Sequence, residues 1–264
     1  MTRGAAALAV TLACAVAGCA ALRPKPAWEL PPPPVAEGPI VPQERLHRST
    51  LENGLEVMVL EDRRLPRLEV GVLLRRGAEI ESIDEAGVVA LMADVMERGA
   101  GARDALALAR VVEEAGADLG VSAGMDSVSV DLSGLSDDAE LLFDLLADVV
   151  LRPRFDPAEV ARARAETLAG LERERDELGA LLWRQLALTL YDGHRYGLAV
   201  AGAPASVARL DAGALRAVHA RLFVASNAIA YVVGDVTEAD ALARVRAHFG
   251  AWAAGEAPPP GPPP

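Results

Sequence analysis

Cysteine is nearly absent from this 264-residue chain, which has two. Two thiols cannot make a disulfide-stapled scaffold or a cysteine-based zinc site. Positive charge is also short: 26 Lys and Arg face 38 Asp and Glu, a formal net charge of −12. A nucleic-acid-binding face needs the opposite excess, so that class is excluded. Lys25 is the single lysine. Aromatic residues make up 4%, which leaves Ala, Val and Leu to build the core. The four histidines are His47, His194, His219 and His248, and none stands three or four positions from another. The helical pair of imidazoles that many zinc sites use is therefore missing. No G-x-S-x-G elbow occurs, and the glycines around Gly99 and Gly116 to Gly124 lack a Lys-Ser/Thr signature. Serine-elbow chemistry and phosphate binding have no support. What the chain does have is apolar content. With 52% hydrophobic and 24% charged residues it is globular rather than disordered. Its length fits one or two domains.

The two ends read as segments outside the fold. Arg3 precedes an apolar run from Ala5 to Ala17, a secretory-signal pattern too short to span a bilayer as a stable helix. The run ends in Val16-Ala17-Gly18-Cys19, which resembles the bacterial lipobox, where the Cys thiol takes lipid and becomes the new N-terminus. Residues 1–19 are expected to be a lipoprotein signal peptide and Cys19 the lipidation site; an ordinary signal peptide with a chance Cys is the other reading. Cys14 lies in the removed segment, so no free thiol is expected for redox or nucleophilic chemistry. Ala20 after Cys19 points, by resemblance, to an outer-membrane anchor facing the periplasm. Residues 20–45 hold Pro24, Pro26, Pro31 to Pro34, Pro39 and Pro42 and read as an extended tether. Residues 253–264 end in a second proline run and read as a linker-like tail.

Between them, residues 46–252 alternate strand and helix signals. Asn53-Gly54 lies between apolar stretches, a hairpin signal. Leu68 to Arg75 reads as a second long strand. Asp84 is expected to cap a helix to about Arg98 with Val88, Leu91, Met92 and Val95 on one face, ended by Gly99 and Gly101. Asp104 starts the next helix. Leu119 to Leu132 reads as two short strands around Gly124. Ser136 is expected to cap a helix whose face is Leu141, Leu142, Leu145, Leu146 and Val149. Asp156-Pro157 opens a long polar helix to about Glu177, and another follows from Leu178 to Tyr191. Asp211 caps a helix to Phe223, Ala228 to Val233 is a buried strand, and Thr237 opens a last helix to Phe249. The fold class is α+β: an antiparallel sheet packed by helices.

These pieces carry a family resemblance over roughly Leu46 to Trp252. LENGLEVMVLEDRRLPRLEVGVLLRRGAEIE, GADLGVSAGMDSVSVDLSGLSDDAELLFDLLADVVLRPRFDPAEVARAR, YDGHRYG and LDAGALRAVHARLFVASNAIAYVVGDV, in that order, resemble the insulinase/pitrilysin metallopeptidases, which include the mitochondrial processing peptidases. Active members resemble one another at an H-x-x-E-H helix. Positions i and i+4 share a helix face, so both His can bind one zinc. The Glu takes a proton from the metal-bound water, and a later helix supplies a third, Glu ligand. In register here, the His positions are Ala90 and Asp94, the base is Ala93, and the third ligand falls at or near Gly170, with Glu166 and Glu172 close by. The resemblance therefore implies a degenerate domain without zinc or other cofactor, inactive alone. It also implies a single copy of a domain that the family repeats in tandem, and hence a catalytic insulinase-like subunit as partner.

Two other readings stay open. Asp94, Glu97 and Glu172 are weak candidates for a hard-cation site, and with it a metallopeptidase of non-standard kind; the alternative is a solvated acidic edge. In the family, substrate adds as a strand to a sheet edge, here Leu119, Gly120, Val121, Ser122 and Ala123. Main-chain pairing needs no metal, so a tethered peptide- or protein-binding domain without a peptidase partner is the second functional reading. His194 is expected to be a structural loop contact.

Overall fold

β1 (Leu46–Thr50) and β2 (Glu56–Glu61) form the expected hairpin. Gly54 takes φ +86° in its turn, a conformation that suits glycine. Asn53 does more than turn the chain: its side-chain amide donates to the carbonyls of Phe249 (2.9 Å) and Trp252 (3.0 Å), tying the hairpin to the far end of the domain. The computed structural model describes residues 30–31 and 43–262. The chain divides into Met1–Ile40 and Val41–Pro264, and every element below belongs to the second unit. Cys19, the lipobox and most of the tether lie outside the described residues.

β3 (Arg67–Leu74), β6 (Asp118–Ala123), β7 (Val128–Leu135) and β8 (Ala228–Gly234) complete a six-stranded sheet of order β1-β2-β8-β3-β7-β6. One pairing departs from the expected antiparallel sheet: β2 and β8 run parallel. β8 arrives from the far end of the chain and inserts between β2 and β3, antiparallel to β3, so it must run with β2. Two apolar rows cross the sheet on its buried face. One is Val57, Ala230, Val72, Val130 and Val121; the other is Val59, Val232, Val70, Leu132 and Leu119. Both end on β6, which has no strand beyond it. On the opposite face Tyr231 lies over Gly71, where any Cβ would overlap its ring.

Helices cover the apolar rows. α1 (Val88–Met96) buries every residue except Ala90 and Asp94. Asp84 does not cap it. A short 3-10 turn, Ile83–Glu85, intervenes, and the N-cap is Gly87 at φ +98°. A side chain there would meet the Ala201 carbonyl. A two-stranded ribbon follows, β4 (Gly99–Ala100) with β5 (Arg103–Asp104), built by the glycines that were expected only to end α1. α2 (Ala105–Glu114) is capped by Asp104, as expected. Before α3 (Ala139–Leu151) stands another 3-10 turn, Ser136–Asp138, so the cap position falls on Asp138 and Ser136 donates instead to Asp235. α4 (Pro157–Glu174) and α5 (Leu178–Leu190) form the long helical pair. α6 (Pro204–Val207), α7 (Ala212–Leu222) and α8 (Glu238–Phe249) follow, the last two capped by Asp211 and Thr237 as expected.

α5 buries no residue. Leu178, Leu182, Leu186 and Leu190, spaced four apart, and Trp183 share one open side; Leu182 is 66% exposed and Trp183 70%. The tail differs from a free linker. Ala225 and Ser226 donate to the carbonyls of Ala253 and Ala254 (both 3.0 Å), and Pro258 is buried.

Candidate functional site

The open line of α1 is where the resemblance places metal chemistry. The start of this helix is held by a charge pair from outside it. The Glu81 carboxylate accepts the backbone N–H of Gly87 (3.0 Å) and of Val89 (2.7 Å), two of the donors a helix N-terminus leaves free. Arg195, from the YDGHRYG loop, donates its Nε to the same carboxylate at 2.8 Å, and its Nη1 to the carbonyls of Leu198 and Ala199 (both 3.1 Å). Both side chains are buried. Burial pushes the Glu81 carboxyl above its ordinary range, against the pull of Arg195 and the two N–H groups.

With its start fixed, α1 presents Ala90 and Asp94 outward, one turn apart, while Ala93 is buried. Asp94 is taken. Arg98, one turn further on, donates through Nη2 to both of its oxygens (2.9 and 3.1 Å) and through Nε at 3.2 Å. The same Nη2 donates to Glu166 on α4 at 2.6 Å. The guanidinium thus bridges α1 and α4 with a carboxylate on each side. Its hydrogen bond holds the Glu166 carboxyl below its ordinary value. Gly170, also on α4, offers no donor atom, and the space where its Cβ would stand is open.

The three carboxylates of the hard-cation reading do not meet. Asp94 turns to Arg98. Glu97 turns to the sheet and accepts the backbone N–H of Val121 at 2.6 Å; burial pushes its carboxyl up. Glu172 pairs with Arg175 on an exposed turn at 3.0 Å. Among the described residues no group of three His, Cys, Asp or Glu side chains converges. Nor does the donor set suit zinc. Ala90, Ala93 and Gly170 carry no ligand atom, and Asp94 is already paired with a cation; zinc wants imidazole, thiolate or carboxylate in a tetrahedral set.

The edge strand is where the sequence put it. β6 is the outer strand of the sheet, beside α1. Because Val121 donates away from β7, alternation turns the main-chain groups of Leu119, Val121 and Ala123 to the open side, and those of Gly120 and Ser122 toward β7. The central outward N–H is already held by Glu97.

The histidines lie apart. His47 is within β1 and faces Glu238 (3.2 Å). His248 meets Glu140 at 3.1 Å. His219 hydrogen-bonds the Val150 carbonyl (3.0 Å) and stacks on Phe223; burial lowers its pKa to about 4. His194 is a loop contact, as expected: its Nδ1 accepts from the Tyr196 N–H and its Nε2 meets the Pro262 carbonyl. The sequence reading missed Arg98 and the pair Glu81–Arg195. The signal for Arg98 was present, an acid and a base at i and i+4. Nothing local marks two residues more than a hundred positions apart.

Residues 57–203 match the family model for insulinase (Peptidase family M16), and residues 209–264 match that for the Peptidase M16 inactive domain. An uncharacterised zinc protease of Mycobacterium leprae is 27% identical over 203 residues, 77% of this chain and 46% of that protein. Subunit 1 of the mitochondrial cytochrome b-c1 complex of Caenorhabditis elegans is 27% identical over 168 residues, 64% of this chain and 36% of its own. The crystal structure of a peptidase M16 inactive domain from Pseudomonas fluorescens superposes with a TM-score of 0.79 at 29% identity, covering 83% of this chain and 53% of that one. The periplasmic protease PqqL of Escherichia coli, at 18% identity and a TM-score of 0.74, shares the fold. The chain spans about half the length of the curated relatives it matches or less. The chain belongs to the insulinase family of peptidases, M16.

Proposed function

We propose that this chain is a non-catalytic M16 component: an envelope lipoprotein, anchored through Cys19, that supports peptide or protein processing by pairing with a zinc-bearing M16 peptidase. The observation that carries this reading is the Arg98 bridge. On the open line of α1, where an active relative would set two imidazoles around a metal, an arginine joins Asp94 to Glu166. Such a helix can hold a domain together but cannot polarise a water. The match to an inactive-domain model supports the same reading.

The test is a mild-detergent pull-down of the tagged, lipidated protein from its own membranes, read by mass spectrometry. A stoichiometric partner carrying H-x-x-E-H is the expected result, with hydrolysis by the pair. An abundant, folded protein with no such partner overturns the pairing. It would leave the second reading, a tethered domain that binds extended peptide along Leu119 to Ala123, favoured by the position of β6 at the sheet edge. Ala90→His alone restores no hydrolysis on either reading, since Ala93, Asp94 and Gly170 still lack the base and the ligands. Activity in that single variant would sink both.

A further inference from the structure

The end of the described chain crosses the surface as an extended strap. Pro258 is buried, and its carbonyl accepts from Arg76 Nε at 3.2 Å. Four residues on, the Pro262 carbonyl meets His194 Nε2 at 2.8 Å. The tautomer of His194 is set from behind, because the Tyr196 N–H donates to Nδ1; Nε2 therefore carries the hydrogen and donates. Between these anchors, Gly261 passes so close to the turn Ala78–Ile80 that a Cβ on it would stand 2.5 Å from the Glu79 carbonyl. The strap walls a cavity of about 620 Å³ against Ile80, Ile83 and Arg221.

These features match how proline-rich strands are recognised. Proline lacks an N–H, so such a strand offers only carbonyls, and side-chain donors must meet them. Its extended shape is preformed, so little order is lost on docking. Here two donors sit four residues apart along the strand, and a tight crossing before the second admits only glycine.

We propose that Arg76, the Glu79 turn and His194 form a recognition site for extended proline-rich segments of pattern Pro-x-x-Gly-Pro, for which Pro258–Pro262 is the resident occupant and a segment from another protein the exchangeable one. The pattern discriminates: the other proline run, Pro31 to Pro34, is followed by Val35-Ala36-Glu37-Gly38-Pro39, which puts Val35 where the first proline must be. The assignment does not depend on the peptidase-partner reading and stands or falls separately from it.

The test uses the full chain and a fluorescein-labelled peptide of residues 256–264, followed by anisotropy. The wild-type protein, its site filled in cis, binds the peptide weakly. Gly261→Ala in the protein expels the strap and leaves the site intact, and binding tightens at least tenfold. The same peptide carrying alanine at the glycine position loses that binding. Adding His194→Ala to the Gly261→Ala protein weakens it at least fivefold. Equal binding by the wild-type and Gly261→Ala proteins, no binding by either, or indifference to the peptide's glycine each overturns the proposal.

Discussion

Asp94 receives three hydrogen bonds from Arg98, one helical turn away, and this pairing decides what the open line of α1 can do. The arginine also reaches Glu166, so its removal breaks this polar link between α1 and α4. Arg98 is only 21% exposed, but both carboxylates are far more open, and open partners are screened. Arg98→Met should cost about 1 kcal/mol in urea-induced unfolding, with Glu166→Gln costing less. A double-mutant cycle on the two should return a favourable, nonzero coupling. A coupling of zero would mean the bridge carries no free energy.

The pair Glu81–Arg195 is a different case, because both side chains are buried. Removing one partner leaves the other charged and without water, a loss of about 3–5 kcal/mol. Glu81→Ala should therefore destabilise far more than Arg98→Met, and Glu81→Gln by less than Glu81→Ala, since an amide oxygen can still accept from Gly87 or Val89. Chemical denaturation of the three variants gives the ranking. A Glu81→Ala protein as stable as wild type would show that α1 does not need its outside anchor.

Acid sensitivity follows from His219. Its pKa is lowered from 6.5 to about 4 by burial, so the folded state keeps the ring neutral where the unfolded chain takes a proton. Stability is then complete above pH 6.5, falls as pH drops through 6.5 toward 4, and levels off below. The full difference is of order 3 kcal/mol at 1.36 kcal/mol per unit. Unfolding followed from pH 7 to 4 in the wild type and in His219→Gln checks it: the slope through this window should flatten in the variant.

Legibility in the sequence tracked distance along the chain. Asp104, Asp211 and Thr237 cap their helices as read, because a cap is a contact across three residues. The apolar stripe of α1 was visible from its period. The parallel pairing of β2 with β8 was not, because no local period reports which distant strand inserts beside which. Asp84 and Ser136 failed as caps for a third reason: each lies in a 3-10 turn that displaces the helix start by a few residues. At the candidate site, the absence of ligand atoms at Ala90, Ala93 and at or near Gly170 is what the register of the family resemblance implies. The Arg98 bridge to Glu166 needed the two helices laid side by side.

For α5 the expected effect on stability is close to zero. Its outward leucines and Trp183 touch little, so Leu182→Glu with Trp183→Ser should change folding stability by no more than about 0.5 kcal/mol, as for surface positions generally. The same change should reduce binding of a hydrophobic dye such as ANS. A large loss of stability would place these side chains in contacts they do not make in this structure.

Glu97 holds the one outward N–H at the centre of the sheet edge, and its effect is separable from the rest of β6. An unpaired edge invites another strand, and a charged side chain laid against it is one of the ways proteins prevent that. Glu97→Ala should therefore speed hydrogen exchange at the Val121 amide at least tenfold. The amides of Gly120 and Ser122, which face β7, should hold their rates, because their partners are untouched. The same variant should pair more readily with an extended peptide, since an added strand no longer has to displace a carboxylate. If the Val121 amide exchanges no faster without Glu97, the contact is not guarding the edge, and a peptide would find Leu119 to Ala123 as open in the wild type as in the variant.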